Sequence, residues 1–288
     1  MSLQRTLVSR SALPRFVPAL LQRKESGTRF DHDWSLQFLC PPQRVTDIPV
    51  HVSPWHDIPL RPSNSSMVSS NSNSSQLDAN IIHMVVEIPI HTREKHEVLT
   101  TQKHNPIRQD CNKKDNSLRL FQYGDIPFNY GCIPQTWENP NEVDEVLRKH
   151  DRGMKFLELR GDGDPLDAVL ASTTSWPIGS LHQVRVLGVL AMIDQGEMDW
   201  KLLVADKRDT TFRRLQDVPR LFQKEVIDWF RYYKTAEGKP ENEFALDGVF
   251  QGEDIALEVI AENARQYLRL MDGTVKNTQG LWLPSEVK

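Results

Sequence analysis

Three aspartates crowd into the stretch Gly161-Asp162-Gly163-Asp164-Pro165-Leu166-Asp167. In extended backbone, residues i and i+2 face the same way, so Asp162 and Asp164 point into one space. Pro165 bends the chain and lets Asp167 swing onto the same site. Carboxylates this close repel strongly unless divalent cations hold them together. An all-oxygen set selects Mg²⁺ or Mn²⁺ over zinc. An EF-hand does not fit: its fifth position is Leu166, its sixth is Asp167 where glycine is required, and its twelfth is Thr173 where glutamate is required. A solvated acidic turn remains the competing reading of this segment taken alone.

Further acids join it. Asp194 closes one expected strand and Asp199 opens its partner, so both lie at one sheet edge, and Lys201 shares the face of Asp199. Lys95 and Glu97 form another i, i+2 pair, with Glu87 on the preceding strand. Arg119 is the single charge in Leu118-Arg119-Leu120-Phe121-Gln122, and Lys234 follows Tyr232 and Tyr233 at a helix end. Carboxylates that hold cations, beside Lys, Arg and Tyr aimed at anionic oxygens, describe a phosphoryl-transfer site. Taken singly, each Lys or Arg is an ordinary surface charge. Neither a GxxxxGK[ST] loop nor an HExxH pair occurs, so no P-loop or zincin chemistry is expected. His83, His91, His96 and His104 are read as scattered surface histidines, and Trp55, Trp137, Trp176, Trp200 and Trp229 as core or interface.

The elements that must position these residues run from strands to helices. Met84–Ile90, Glu94–Thr101 and Ser117–Gln122 alternate as strands, and Val184–Asp194 with Asp199–Asp206 make a hairpin around Gln195-Gly196-Glu197-Met198. Helical spacing follows. Phe222, Val226, Trp229 or Phe230, and Tyr233 recur after Pro219 in a first turn, and Ile255, Leu257, Val259, Ile260 and Leu268 recur within Asp254–Met271. Strands followed by helices predict an α+β fold, mainly β: a small barrel or curled sheet with helices packed against it.

Composition narrows the classes. Lys and Arg number 35 against 39 Asp and Glu, and the first 24 residues hold five of the bases and no acid, so the remaining chain is strongly acidic. That balance excludes non-specific nucleic-acid binding. The run Val186–Ile193 is far too short to span a bilayer. Three widely spaced cysteines, Cys40, Cys111 and Cys132, exclude a disulfide framework or zinc finger. The basic, acid-free front with its serines and leucines has the composition of a transit peptide; its arginines favour mitochondria, with the matrix as destination, over plastid or cytoplasm. Residues 1–30 are therefore expected to be a leader and residues 31–288 a single domain. Within that domain, residues 63–76, of which 11 are Ser or Asn, form a flexible insertion.

The chain resembles the soluble family I inorganic pyrophosphatases of eukaryotic type from Ser53 to about Leu270. Gly161–Ala168 resembles the family's Asp-x-Asp-Pro-x-Asp signature, and Ala191–Lys201 its second acidic stretch. Ser53–Pro59, Met84–Pro89, Phe128–Pro140 and Trp229–Ala245 resemble further family blocks in the same order. The resemblance implies a five-stranded β-barrel of OB type with helices outside, and hydrolysis of pyrophosphate by a metal-activated water with Mg²⁺, several ions per site. It implies Asp162, Asp167, Asp199, Asp194 and Glu97 as metal ligands. Asp164 would be the catalytic carboxylate that orients and deprotonates the attacking water. Lys95, Arg119, Tyr130, Tyr233 and Lys234 would bind phosphate, with Glu87 and Lys201 as supporting charges.

Departures accompany it. Asn141–Arg160 is longer than usual and is expected to form a short helix near the active-site mouth. Ile90-His91 stands where eukaryotic members carry Arg-Trp at the homodimer contact, and Gly163 stands where Asn is commoner. The rival functions are a non-catalytic scaffold subunit on the same fold, which loss of a ligand would favour, and a nucleotide or polyphosphate hydrolase.

Overall fold

The computed structural model describes residues 21–41, 49–62, 80–153 and 155–284; residues 1–20 of the expected leader and the whole Ser/Asn-rich insertion lie outside the described residues. Along the described residues run the strands β1 (Gln22–Ser26), β2 (Ser35–Cys40), β3 (Val50–Val52), β4 (Ile81–Ile88), β5 (His96–Val98), β6 (Ile107–Gln109) and β7 (Asn129–Cys132). After helix α1 (Glu145–His150) come β8 (Asp167–Leu170), β9 (Leu181–Asp194), β10 (Glu197–Asp206), α2 (Arg220–Tyr232), β11 (Glu243–Phe244) and α3 (Glu253–Met271). The fold is α+β and mainly β. Strand β1, inside the segment expected as leader, pairs along its length with β2.

Strands β10, β8, β7, β4 and β9 are hydrogen-bonded in that order, and β9 pairs back onto β10, which closes a ring of five strands. A second sheet runs β1-β2-β6-β5 with β3 on β2. The β9–β10 hairpin turns on two residues rather than the expected four, because Asp194 pairs directly with Glu197. Gln195 and Gly196 both take positive φ, 55° and 93°. That is the backbone of a turn matching strand twist, and glycine adopts it without steric cost.

The segment Ser117–Gln122 is not a regular strand. It makes isolated bridges, Cys111 with Leu118 and Glu94 with Leu120. Its Arg119 is held by single backbone bonds to two neighbours: its N–H donates to the Asp110 carbonyl at 2.7 Å, and its carbonyl accepts from the Lys95 N–H at 3.2 Å. Divided between two partners, the segment builds no ladder, and the expected Glu94–Thr101 strand shortens to β5.

Alternate residues of the ring strands feed two apolar layers. One, with Ala168, Leu202 and Val204, packs on α1 and α3; the other, with Val169, Leu190 and Leu203, packs on α2 through Val226, Trp229 and Phe230. A third cluster joins β2 to Trp55, Trp137 and the end of α3. The five tryptophans named from sequence are all buried. Pro219 caps α2 from outside instead of entering its first turn. Leu268, expected inside, is 62% exposed. Eight residues beyond Ile260 the helix has turned roughly 80° off the buried line, and Tyr267 and Leu270 take the inward positions. The segment 141–160 does contain a helix, α1, with Asp144 as its side-chain N-cap. Lys149 and His150 bind Glu258, which seats α1 on α3. His83 and His96, read as surface residues, are buried.

Candidate active site

One wall of the site is built on the ring. The Asp164 N–H donates to Asp162 Oδ1 at 2.9 Å, which folds the signature loop on itself. The turn passes through Gly163 at φ 92°, and Gln279 from the C-terminal segment lies over it, donating to the Asp162 carbonyl at 3.1 Å. A Cβ on Gly163 would stand 1.8 Å from Gln279 Nε2. The loop then enters β8, where Asp167 is the register partner of Lys201 on β10. Asp199 precedes Lys201 by two positions and shares its face. The Lys201 ammonium donates to Asp167 Oδ2 at 2.5 Å, to Tyr130 Oη at 2.9 Å and to Asp199. Lys201 is only 2% exposed. Burial would lower its pKa, but Asp167 and Asp199 outweigh it and hold the ammonium well above its ordinary range.

Glu138 completes this wall and was not singled out from sequence, although it sits in the Phe128–Pro140 block. Its Oε1 accepts from the Trp200 N–H at 2.9 Å. Its Oε2 is buried with no partner. Oxygens of Glu138, Asp162 and Asp199 lie within 4.8 Å of one another. A buried carboxylate oxygen without a donor is costly, and a divalent cation at this cluster supplies what is missing. These residues therefore fit a hard, oxygen-ligated ion. Without one, burial and then the neighbouring acids push Glu138 and Asp162 far above the ordinary carboxylate range. Asp199 is raised as well: burial acts first, and Asp162 and Asp167 add to it against the Lys201 charge.

The facing wall comes from β5, β6 and the loops beyond. Lys95 bonds Glu97 at 2.5 Å and Asp110 at 2.9 Å, and Arg119 bonds Asp110 at 3.1 Å and Glu237 at 3.3 Å. Asp110 and Glu237 are the other two residues that sequence reasoning missed. At the end of α2, Lys234 binds both oxygens of Asp194, one at 2.5 Å. Burial works against the Asp194 carboxylate, but the Lys234 ammonium outweighs it and holds the pKa low. Tyr233 is buried, and its hydroxyl is raised by desolvation and by Asp194.

Glu87 lies where β4 slips register against β7, between Val86 and Ile88, a bulge of the kind that re-aims a side chain. It accepts from the Val98 N–H at 2.6 Å. Burial, with Asp167 next, pushes it up to about 8. The walls meet at Asp164. Its carboxyl opens to solvent, yet desolvation by surrounding protein and then the field of Glu97, with Asp167 and Glu87 behind it, push it up to about 8. Of the thirteen site residues named from sequence, Asp162 and Asp199 join Glu138 in one carboxylate cluster, while Asp167, Asp194 and Glu97 are each bonded to a lysine beside it.

Crowded carboxylates on one side, and Lys95, Arg119, Tyr233 and Lys234 on the other, make this a hydrolase site for a phosphate anion neutralised by cations. The inorganic pyrophosphatase family model matches residues 84–268. The bovine inorganic pyrophosphatase is 36% identical over 240 residues, covering 80% of this chain and 73% of its own length. That of Debaryomyces hansenii is 35% identical over 243 residues, 81% of this chain and 76% of its own. Among solved structures, an N-terminally truncated Trypanosoma cruzi vacuolar soluble pyrophosphatase in complex with PPi superimposes with a TM-score of 0.77 at 32% identity, over 94% of this chain and 99% of that one. The type I inorganic pyrophosphatase of Toxoplasma gondii gives 0.72 at 36% identity, over 87% and 99%. The chain belongs to the inorganic pyrophosphatase family, in its eukaryotic type, and is an inorganic diphosphatase that hydrolyses pyrophosphate. Among the described residues, no helix is long and apolar enough to cross a membrane.

Proposed function

We propose that the enzyme cleaves pyrophosphate with Mg²⁺ held by Asp162, Asp167, Asp199, Asp194 and Glu97, with Glu138 joining the set. The observation that carries this is the partnerless Glu138 Oε2 beside Asp162 and Asp199. When bound, the ions neutralise phosphate charge and acidify water. The chain's own residues do the rest. Lys95, Arg119, Tyr130, Tyr233 and Lys234 receive the phosphate oxygens. Lys201, bonded to Asp167 and Asp199, keeps those carboxylates in register. Asp164 takes the proton of the water that attacks phosphorus while the bridging P–O bond breaks. Without the ions, burial and the field of Glu97 push this carboxyl up to about 8; divalent cations beside it would lower it and leave it ionised to accept the proton. Phosphate release from pyrophosphate, ATP and polyphosphate, each with Mg²⁺ or Mn²⁺, tests this. Release from pyrophosphate dependent on Mg²⁺ is expected, and equal rates on all three substrates would refute it.

The same reading takes the ring of five strands as the OB-type barrel and residues 31–288 as one domain. It takes residues 1–30 as a mitochondrial leader, although β1 near the end of that segment pairs with β2. A fluorescent reporter carrying residues 1–29 is expected in mitochondria, and a cytosolic signal rejects the leader. A homodimer is proposed on the resemblance alone, and light scattering of the purified chain reports it.

A further inference from the structure

Behind the wall that carries Lys95 and Arg119 lies a second cavity of about 410 Å³, lined among others by Asp31, His32, Glu97, Arg108, Asp110 and Cys111. It forms where the turn between β1 and β2 reaches over β6. The Arg108 guanidinium donates to the His32 carbonyl, and the His32 N–H donates to Asp31 Oδ1 at 2.6 Å; together they hold the turn in place. Cys111 Sγ then stands 3.7 Å from His32 Nδ1. A tetrahedral zinc ion, with Zn–S about 2.3 Å and Zn–N about 2.0–2.1 Å, sets its sulfur and nitrogen ligands roughly 3.6 Å apart. The pair is therefore already at the bite of one ion, in a cavity that also presents carboxylates.

We propose that Cys111 and His32 form a second cation site, separate from the Mg²⁺ cluster and selective for a borderline-soft divalent ion such as Zn²⁺. Thiolate and imidazole suit Zn²⁺, while Mg²⁺ keeps to oxygen. Binding displaces the thiol proton to solvent, and water fills the remaining positions, since among the described residues no third histidine, cysteine or carboxylate ligand atom lies within 4.8 Å of both. The site has a path to catalysis. The Cys111 N–H donates to Asp110 Oδ1 at 2.7 Å, and the other oxygen of Asp110 holds both Lys95 and Arg119. An ion at Cys111 draws on Asp110 and Glu97 and so disturbs the two cations. This last step rests on their assignment to phosphate.

The test uses the full chain in excess Mg²⁺, without substrate, titrated with Co²⁺. One equivalent is expected to give a thiolate-to-cobalt charge-transfer band that Zn²⁺ abolishes. The band should vanish in Cys111→Ser, persist in Cys40→Ser, and need at least tenfold more metal in His32→Ala. A band that survives Cys111→Ser, or an affinity untouched by His32→Ala, overturns the site. With pyrophosphate, Zn²⁺ should raise KM several-fold in the parent enzyme and not in Cys111→Ser, whose basal rate is unchanged. Metal binding without that KM change overturns the coupling, and because the band is read without substrate, it stands apart from any failure of the phosphate assignments.

Discussion

The two walls of the active site solve opposite electrostatic problems. On the ring side, Asp162, Asp167, Asp199 and Glu138 stand around a single cation, Lys201, and one Glu138 oxygen has no partner. On the facing side every cation has a carboxylate: Lys95 has Glu97 and Asp110, Arg119 has Asp110 and Glu237. The ring wall is short of positive charge, and laddered strands keep its acids from moving apart. The facing wall is balanced and is held largely by loops. A surplus of fixed acid asks for divalent cations. In the balanced wall the carboxylates hold the cations in place, so Asp110 and Glu237 would position Lys95 and Arg119 for the proposed phosphate.

Substitution at the meeting point of the walls should have the largest effect. Asp164→Asn removes the proposed proton acceptor and leaves the exposed loop backbone intact. Turnover should fall about 10²–10⁴-fold with an unchanged Tm; wild-type phosphate release from pyrophosphate would show that another group takes the proton. Glu138→Gln addresses the ring wall. It keeps the Trp200 bond and removes the charge, so Mg²⁺ affinity should drop about 10–100-fold, seen as a shifted Mg²⁺ activation curve. An unmoved curve would mean that the orphaned oxygen holds no ion.

How far the sequence displays this contrast follows from how each wall is built. Asp162, Asp164 and Asp167 lie within one short stretch, and Asp199 with Lys201 keeps the period of a long hairpin strand, so local pattern exposes most of the ring wall. Glu138 escapes because it is an isolated acid among Thr136, Trp137 and Asn139, and its meaning comes from Asp162 and Asp199, which approach only in three dimensions. Asp110 and Glu237 escape for a similar reason: each matters through Arg119, on a segment whose backbone is shared between two neighbours and shows no strand period. Leu268 misleads in the opposite sense, since an apolar residue on a helix surface looks the same as one in the core until rotation about the axis is followed.

Acid should loosen the two regions unequally. Burial lowers His56 and His96 to about 4. Both belong to the layer of the second sheet: His56 bonds Tyr267 and the Trp282 carbonyl, and His96 packs edge-on against Trp34. Between about pH 6.5 and 4, these imidazoles take protons in the unfolded chain and stay neutral in the native one. Their contribution is complete above about pH 6.5 and is lost as pH falls, with a slope of up to about 1.4 kcal/mol per unit for each. The buried carboxylates of the active site act the other way, because a raised pKa adds stability as pH falls, and His182 on β9 shares the histidine effect. The test is therefore differential, and the Tm gap between the parent and His56→Gln should narrow from pH 7 to 4.5. An identical pH slope in that variant would place the acid sensitivity elsewhere.

The balanced wall predicts a smaller change. Asp110→Asn weakens the hold on Lys95 and Arg119 without removing either, so KM for pyrophosphate should rise roughly 2–10-fold while kcat stays close to the parent value. A collapse of kcat with KM unchanged would make Asp110 part of the transition-state machinery and would erase the difference between the walls.

The smallest effect is expected where the C-terminal segment touches the ring wall. Gln279 is exposed, yet its amide holds the Asp162 carbonyl at 3.1 Å and fills the space over Gly163. The segment is tied down on both sides, by Thr278 to Asn141 and by the Trp282 N–H to the Thr100 carbonyl. Removing one hydrogen bond of this kind is worth about 0.5–1.5 kcal/mol. Gln279→Ala should therefore weaken Mg²⁺ activation only a few-fold, with the pyrophosphate KM at saturating Mg²⁺ unmoved, because the bond bears on Asp162 and not on Lys95 or Arg119. If KM shifts and the Mg²⁺ curve does not, the segment acts on the phosphate side, and the loop holding Asp162 is fixed by β8 and Glu138 without it.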